Sequence, residues 1–264
     1  MSTISATDSA TDSVNALADI LSVAYNGNTT ISVPAALEPE NSDRAYAVQQ
    51  RILKNCHVSI GGWKIGAKSD IGPIQGAPLP QLRIYAASAS TPVSIARKDY
   101  PVLGLELEIF FSFNRDFLPQ SEPIPEQEVL ESISGFGASI EIVSSRVNGW
   151  RDAPKLVQLA DLQNHGALMI GQMVAYRGDF STLNPVVDLR LDGVPLFSGV
   201  GQNPAGDPRR LLSWLVNHCS QKGLGLLAGT IITTGSYTGV DFPTKGGTVT
   251  GVIAGLPAVT FELI

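Results

Sequence analysis

GLELEIFF, residues 104–111, and GASIEIVSSR, residues 137–146, decide how this chain is read. Both stretches are dominated by Ile, Leu, Val and Phe and alternate in the manner of β-strands. Successive side chains of a strand point to opposite faces. Glu106 and Glu108 therefore share one face, and Leu105, Leu107 and Ile109 share the other. Two carboxylates side by side repel each other, and removing each from water without a partner is costly. A divalent cation resolves both problems, because hard oxygen ligands from two or three carboxylates suit Mg²⁺ or Mn²⁺. Glu141, in the second stretch, offers the third carboxylate. The competing reading is a solvated strand face carrying two acids, which fits poorly with so apolar a segment.

The 264 residues suffice for one large domain or a small one beside a larger one, and 44% hydrophobic against 16% charged residues implies a sizeable core. No apolar run reaches the length of a membrane span. The first 13 residues, MSTISATDSATDS, are polar, lack a basic residue and lack an apolar core, which predicts a frayed, disordered tail rather than a secretory leader. A net charge of −6 argues against nucleic acid as a main partner. Two cysteines, Cys56 and Cys219, are too few for a disulfide framework and point to reduced thiols in a cytoplasmic protein.

Along the chain, VNALADILSVAYNG and DRAYAVQQRILKNC carry apolar residues at helical spacing. Gly27 is the expected stop of the first helix, and Ser42 or Asp43 the expected cap of the second. GGWKIGAKS, residues 61–69, reads as a short strand entering a turn. Between Asp70 and Pro80 stand Gly72, Pro73, Gly76, Pro78 and Pro80, which predicts an irregular, mobile loop over an active site. From about Thr91 the character turns to β, with one later helix in DPRRLLSWLVNHCSQKG and a hairpin turning at Asp192-Gly193. The expected fold class is α+β. It divides into a tail (1–13), a small N-terminal helical α/β part (14–90) and a larger, closed or sandwiched mixed β domain (91–264).

Several polar residues stand in apolar surroundings. Lys64, between Trp63 and Ile65, either pairs with an acid, does chemistry, or snorkels at a strand edge. Arg146 either grips a substrate carboxylate or forms a structural ion pair. Asp161, Gln163 and Asn164 either orient ligands and water or cap a turn. His165, alone among them, is taken as a structural residue and not as a base. Thr233, Thr234, Gly235 and Ser236 form a donor-rich turn able to hold a carboxylate, or a plain tight turn. No phosphate loop, dinucleotide fingerprint, G-x-S-x-G elbow or H-E-x-x-H is present.

The order of GGWKIGAKS, GLELEIFF, SIEIVSSR, LADLQNHGALMIG, the LLSWLVNH helix and AGTIITTGS resembles the fumarylacetoacetate hydrolase superfamily. The likeness is to its 2-keto-4-pentenoate hydratase and 4-oxalocrotonate decarboxylase branch, and it spans about Val14 to Leu263. The resemblance implies a homo-oligomer with a β-roll catalytic domain, acting in aromatic catabolism. It implies Mg²⁺ or Mn²⁺ on Glu106, Glu108 and Glu141, and Lys64 beside a bound 2-oxo acid. The substrate-binding set expected with them is Arg146, Gln163, Thr234, Gly235 and Ser236. The implied chemistry passes through a metal-stabilised enolate. Its first form is hydration of a 2-hydroxy-2,4-dienoate. Decarboxylation of a 4-oxalocrotonate-like acid, C–C hydrolysis of an acylpyruvate, and a non-catalytic metal-binding relative are the alternatives. Relatives carry an acid in the loop after the K-I-G motif. Here that loop reads SDIGPIQGAPLPQLRIY, and Asp70, placed earlier than the family's acid, is the only carboxylate available.

Overall fold

The computed structural model describes residues 6–87, 90 and 92–264, with side chains from residue 12 onward. In chain order the elements are α1 (Ala6–Gly27), α2 (Ser42–Asn55), β1 (Ile60–Ala67), β2 (Ile74–Pro80), β3 (Ile84–Ala86), β4 (Ser94–Ile95), β5 (Gly104–Phe113), α3 (Glu126–Glu131) and β6 (Ile133–Val143). They continue with α4 (Lys155–Ala160), β7 (His165–Ile170), β8 (Val174–Ala175), β9 (Val186–Leu191), β10 (Val194–Val200), α5 (Arg210–Gln221), β11 (Ile231–Ser236), β12 (Gly247–Ile253) and β13 (Val259–Leu263).

Two sheets carry the fold. The larger runs β2-β1-β11-β5-β6-β7-β3, with β8 added to β6; the smaller runs β10-β9-β12-β13-β4. The alternation of β5 and β6 explains their packing. Leu105, Leu107, Ile109, Ile140 and Ile142 are fully buried in the main core, on the face opposite the glutamates. The smaller sheet closes onto that face so tightly that a Cβ on Gly251 of β12 would stand 2.6 Å from Leu107 and 3.0 Å from Ile140. Each such side chain contributes about 1.5–3 kcal/mol by leaving water. That apolar layer stabilises a sheet whose other face must hold charge.

A second core joins α1 and α2 to the segment around α4, with Leu17, Leu21, Val48, Ile52, Val157, Leu159 and Leu162 in contact. Gln49 of α2 is buried and donates through Nε2 to Leu159 O (2.7 Å) and Gly76 O (3.2 Å). The N-terminal helices thereby brace the segment that leads into residues 161–165.

Several expectations need correction. Helix α1 begins at Ala6, so residues 6–13 are helical where a frayed tail was expected; residues 1–5 lie outside the described residues. The cap of α2 is Asn41, whose side chain accepts from Arg44 N–H at 3.0 Å, and not Ser42 or Asp43. Most of the expected Asp70–Pro80 loop is strand: β2 pairs antiparallel with β1 from Ile74 to Pro80. Pro78 and Pro80 are tolerated because β2 is the edge of its sheet and pairs on one side only. The irregular part shrinks to residues 68–73, and Arg210 Nη2 donates to Ser69 O there at 2.8 Å. The division expected at residue 90 also falls within one sheet, since β1, β2 and β3 join β5, β6, β7 and β11. The hairpin turn is as read, with positive φ at both Asp192 (50°) and Gly193 (75°).

Candidate metal centre

The glutamates are assembled by register. β5 and β6 pair antiparallel with Glu106 opposite Glu141 and Glu108 opposite Ser139. β11 and β1 extend the same sheet, with Lys64 level with Thr233. One face therefore gathers Glu106, Glu108 and Glu141, with one oxygen of each lying within 4.8 Å of the others. Glu108 and Glu141 are buried, and Glu106 sits at the rim, partly accessible.

Each carboxylate has its own surroundings. Thr233 Oγ1–H and Gly235 N–H (2.9 Å) both donate to Glu108 Oε2. The amide can reach because the β11–β5 ladder slips between Thr233 and Ser236, and Gly235 adopts φ = 94°, a conformation that favours glycine. Glu141 Oε1 accepts from Lys64 Nζ at 2.7 Å and lies 2.9 Å from His165 Nδ1. Lys64 Nζ also donates to Gln163 O at 3.2 Å. Glu141 Oε2 is buried and unpartnered among the described residues.

The electrostatics follow. Burial, with the neighbouring Glu108 charge, pushes Glu106 up to about 8. Burial and the Glu141 charge push Glu108 up to about 7, against Lys64 and the Thr233 and Gly235 donors. Burial would also raise Glu141, but Lys64 and His165 outweigh it and hold the carboxyl below its usual range. Burial opposes the Lys64 charge, but the three carboxylates outweigh it and the ammonium stays protonated. The lowered Lys64 value that would suit a neutral base is therefore not what the protein's own groups produce. Burial keeps His165 neutral despite its Glu141 contact. Three carboxylates and one ammonium leave two negative charges when all are ionised, which a divalent cation cancels. The residues fit such an ion: an all-oxygen donor set, burial and mutual repulsion that raise two pKa values, and a buried carboxylate oxygen with no partner among the described residues.

The other expected site residues divide. Gln163 joins the site through its carbonyl, and its side-chain Oε1 is buried without a partner among the described residues. Asp70 does not join: it is exposed in the 68–73 turn, against Gly206, and makes no hydrogen bond to Lys64 or the glutamates. Arg146 is a structural cation. Its Nε donates to Asp161 Oδ1 at 2.6 Å, its Nη2 to Asp161 O at 2.6 Å, and its Nη1 to Ser144 O (3.0 Å) and His165 O. Thr234 turns away and donates to Ile109 O at 2.8 Å, and Ser236 donates to Gly239 O at 2.8 Å. Of the Thr234–Ser236 turn, only the Gly235 amide reaches the cluster, and it holds a glutamate rather than standing free.

Reading the sequence missed two features. His165 touches Glu141 directly, and Leu162, Gln163 and Asn164 are three consecutive residues with positive φ (47°, 53° and 59°). A left-handed run of non-glycine residues costs about 1–2 kcal/mol per residue, and such strain concentrates at functional sites. The polar LADLQNHG cluster was the only sequence signal of either.

The fumarylacetoacetate (FAA) hydrolase C-terminal family matches residues 83–263. The chain is 29% identical over 238 residues to the TodF product hydratase of Pseudomonas putida, covering 89% of this chain and 84% of that protein. It is 30% identical over 211 residues to a 2-keto-4-pentenoate hydratase of Paraburkholderia xenovorans, covering 74% of each. In fold it is similar to the 4-oxalocrotonate decarboxylase from Pseudomonas putida G7 complexed with magnesium and adipate, with TM-score 0.82, 20% identity and coverage of 96% and 98% of the two chains. A face of three glutamates and a lysine, on this paired-sheet fold and with these relatives, shows that the chain belongs to the fumarylacetoacetate hydrolase family.

Proposed function

We propose that the protein is a divalent-metal-dependent hydro-lyase that hydrates a 2-hydroxy-2,4-dienoate to a 4-hydroxy-2-oxo acid, with Mg²⁺, or Mn²⁺ in its place, on Glu106, Glu108 and Glu141. The observation that carries the reading is Lys64 Nζ set beside three clustered carboxylates whose excess negative charge a divalent cation would neutralise. The similarity to hydratases at 29% and 30% identity supports the reaction class. When bound, the cation supplies Lewis-acid polarisation of the 2-oxo acid's oxygens.

The protein's own groups handle the protons. Overall, the 2-hydroxyl proton is lost and C5 gains one, giving a 2-oxo-3-enoate; water then adds its hydroxyl to C4 and a proton to C3. Lys64 spends one N–H on Glu141 and one on Gln163 O, which leaves its third donor for substrate. It holds and delivers the proton from Nζ. The unpartnered Oε1 of Gln163 is an acceptor suited to orienting substrate or the attacking water.

A second reading is decarboxylation of a 4-oxalocrotonate-like acid, and the exposure of Asp70 favours it. With Asp70 outside the cluster, Lys64 is the proton source beside the glutamates among the described residues. Loss of CO₂ needs an electron sink and one returned proton, with no water to activate. Acylpyruvate hydrolysis is disfavoured because His165, its only candidate base, is fully buried against Glu141. A homo-oligomer acting on dienols from aromatic ring cleavage belongs to the same proposal.

The test is turnover of a small panel of 2-hydroxy-dienoates and 4-oxalocrotonate with and without Mg²⁺. Loss of dienol absorbance and mass analysis of the products are the readouts. Metal-dependent gain of water supports the hydratase; loss of CO₂ alone replaces it with the decarboxylase; no turnover of any of them refutes both.

A further inference from the structure

Glu141 is held on one side only. Lys64 Nζ and His165 Nδ1 both reach Oε1, while Oε2 is buried and unpartnered among the described residues. Glu108 shows the same asymmetry, with both of its donors on Oε2. An oxygen whose two lone pairs are both taken by donors has none left for a cation, which leaves the other oxygen of each carboxylate as the ligand.

His165 is the more rigid of the two holders of Glu141. Its side chain is fully buried, whereas that of Lys64 is 12% exposed. Among the described residues its ring makes one hydrogen bond, to Glu141, and Nε2 is buried with no partner. Its backbone is pinned by Arg146 Nη1, which donates to His165 O, and Arg146 is fixed in turn by Asp161. The left-handed run of Leu162–Asn164 immediately precedes it. A histidine that merely filled core space would need none of this.

We propose that His165 is a positioning residue: it holds Glu141 to a single free oxygen, so that the three-glutamate face favours a small octahedral cation, Mg²⁺, over the larger Ca²⁺. This rests on the reading of Glu106, Glu108 and Glu141 as metal ligands. Mg²⁺ needs near-ideal octahedral geometry and keeps several waters, whereas Ca²⁺ accepts more oxygens and often takes both of one carboxylate. One oxygen from each glutamate, with water or substrate in the remaining positions, suits the first. Freeing Glu141 to turn and offer both oxygens suits the second.

The experiment is calorimetric titration of Mg²⁺ and, separately, Ca²⁺ into the metal-free wild type, His165→Leu and His165→Asn. His165→Leu is expected to weaken Mg²⁺ binding by roughly 10–100-fold, the usual effect of losing a group that orients a ligand. Ca²⁺ affinity should be unchanged or tighter. His165→Asn, whose amide N–H stands where Nδ1–H does, should restore Mg²⁺ binding. Wild-type Mg²⁺ affinity in a folded His165→Leu, equal losses for both cations, or an Asn variant no better than Leu would each overturn the proposal. A wild type that binds neither cation overturns the metal reading itself. Should His165→Leu not fold, long-range ¹H–¹⁵N correlation on the metal-free wild type still decides. A proton on Nδ1 is expected, and a proton on Nε2 removes the bond to Glu141 and the proposal with it.

Discussion

Glu106 and Glu141 stand directly opposite each other across the β5–β6 ladder. Like charges in that position destabilise a sheet. The metal-free protein therefore carries internal repulsion, and Glu106→Gln should relieve it. The expected outcome is an unchanged or higher melting temperature without metal, and loss of the stabilisation that Mg²⁺ confers on the wild type. That stabilisation is about 2.7 kcal/mol at a free concentration 100 times Kd. Thermal melts of both proteins with and without Mg²⁺ check this, and a Glu106→Gln variant stabilised by Mg²⁺ as strongly as the wild type contradicts it.

Burial, with the repulsion among the three glutamates, makes metal binding pH-dependent. With Glu106 raised to about 8 and Glu108 to about 7, both carry protons in the metal-free protein at pH 6. Binding must expel them. Mg²⁺ affinity should rise between about pH 6 and 8 and level off above. Titrations near pH 7 in buffers of different ionisation enthalpy should show proton release. For stability the sign is reversed. A folded pKa above the unfolded value adds stability that is fully present below about 4.5 and is lost as pH rises through 7 and 8. The contribution of these two groups to metal-free stability therefore falls over that range, and saturating Mg²⁺ should flatten the fall.

Lys64 balances the charge of the cluster, and in the proposed reaction it also supplies the proton. Lys64→Met should cut turnover by roughly 10²–10⁴, the scale of general acid–base catalysis. It should also lower metal-free stability, because Glu141 is left buried with one fewer partner. Mg²⁺ should restore that stability and bind at least as tightly as before, since a competing cation is gone. Steady-state rates with parallel melts separate these effects. A metal-free variant as stable as the wild type, or one that Mg²⁺ fails to rescue, contradicts the balancing role.

What was legible in the sequence was local. The period-two alternation around Glu106 and Glu108 dictates their shared face, and the apolar neighbours of Glu141 and Lys64 mark their strands. Asp192-Gly193 announces its own turn. Features that depend on distant partners were not legible. Arg146 is consumed by Asp161, fifteen positions away, and nothing local distinguishes a buried ion pair from a substrate clamp. β2 looks like a loop because its glycine and two prolines are disfavoured in most strands; only its place at the sheet edge makes them acceptable. Asp70 was proposed because it is the one acid near Lys64 in sequence, but the turn directs it to solvent. His165 meets Glu141 only through the pairing of β6 with β7, which no spacing within either strand encodes.

Glu106, Glu108 and Glu141 are proposed to hold one divalent cation together. Calorimetric titration of Mg²⁺ into the metal-free wild type and into Glu106→Gln, Glu108→Gln and Glu141→Gln tests it most directly. The account predicts one site per chain in the wild type and no measurable binding in the Glu108 and Glu141 variants, with binding lost or severely weakened at the rim residue Glu106. Wild-type affinity retained in any of the three, or a wild type that takes up no Mg²⁺, would contradict it.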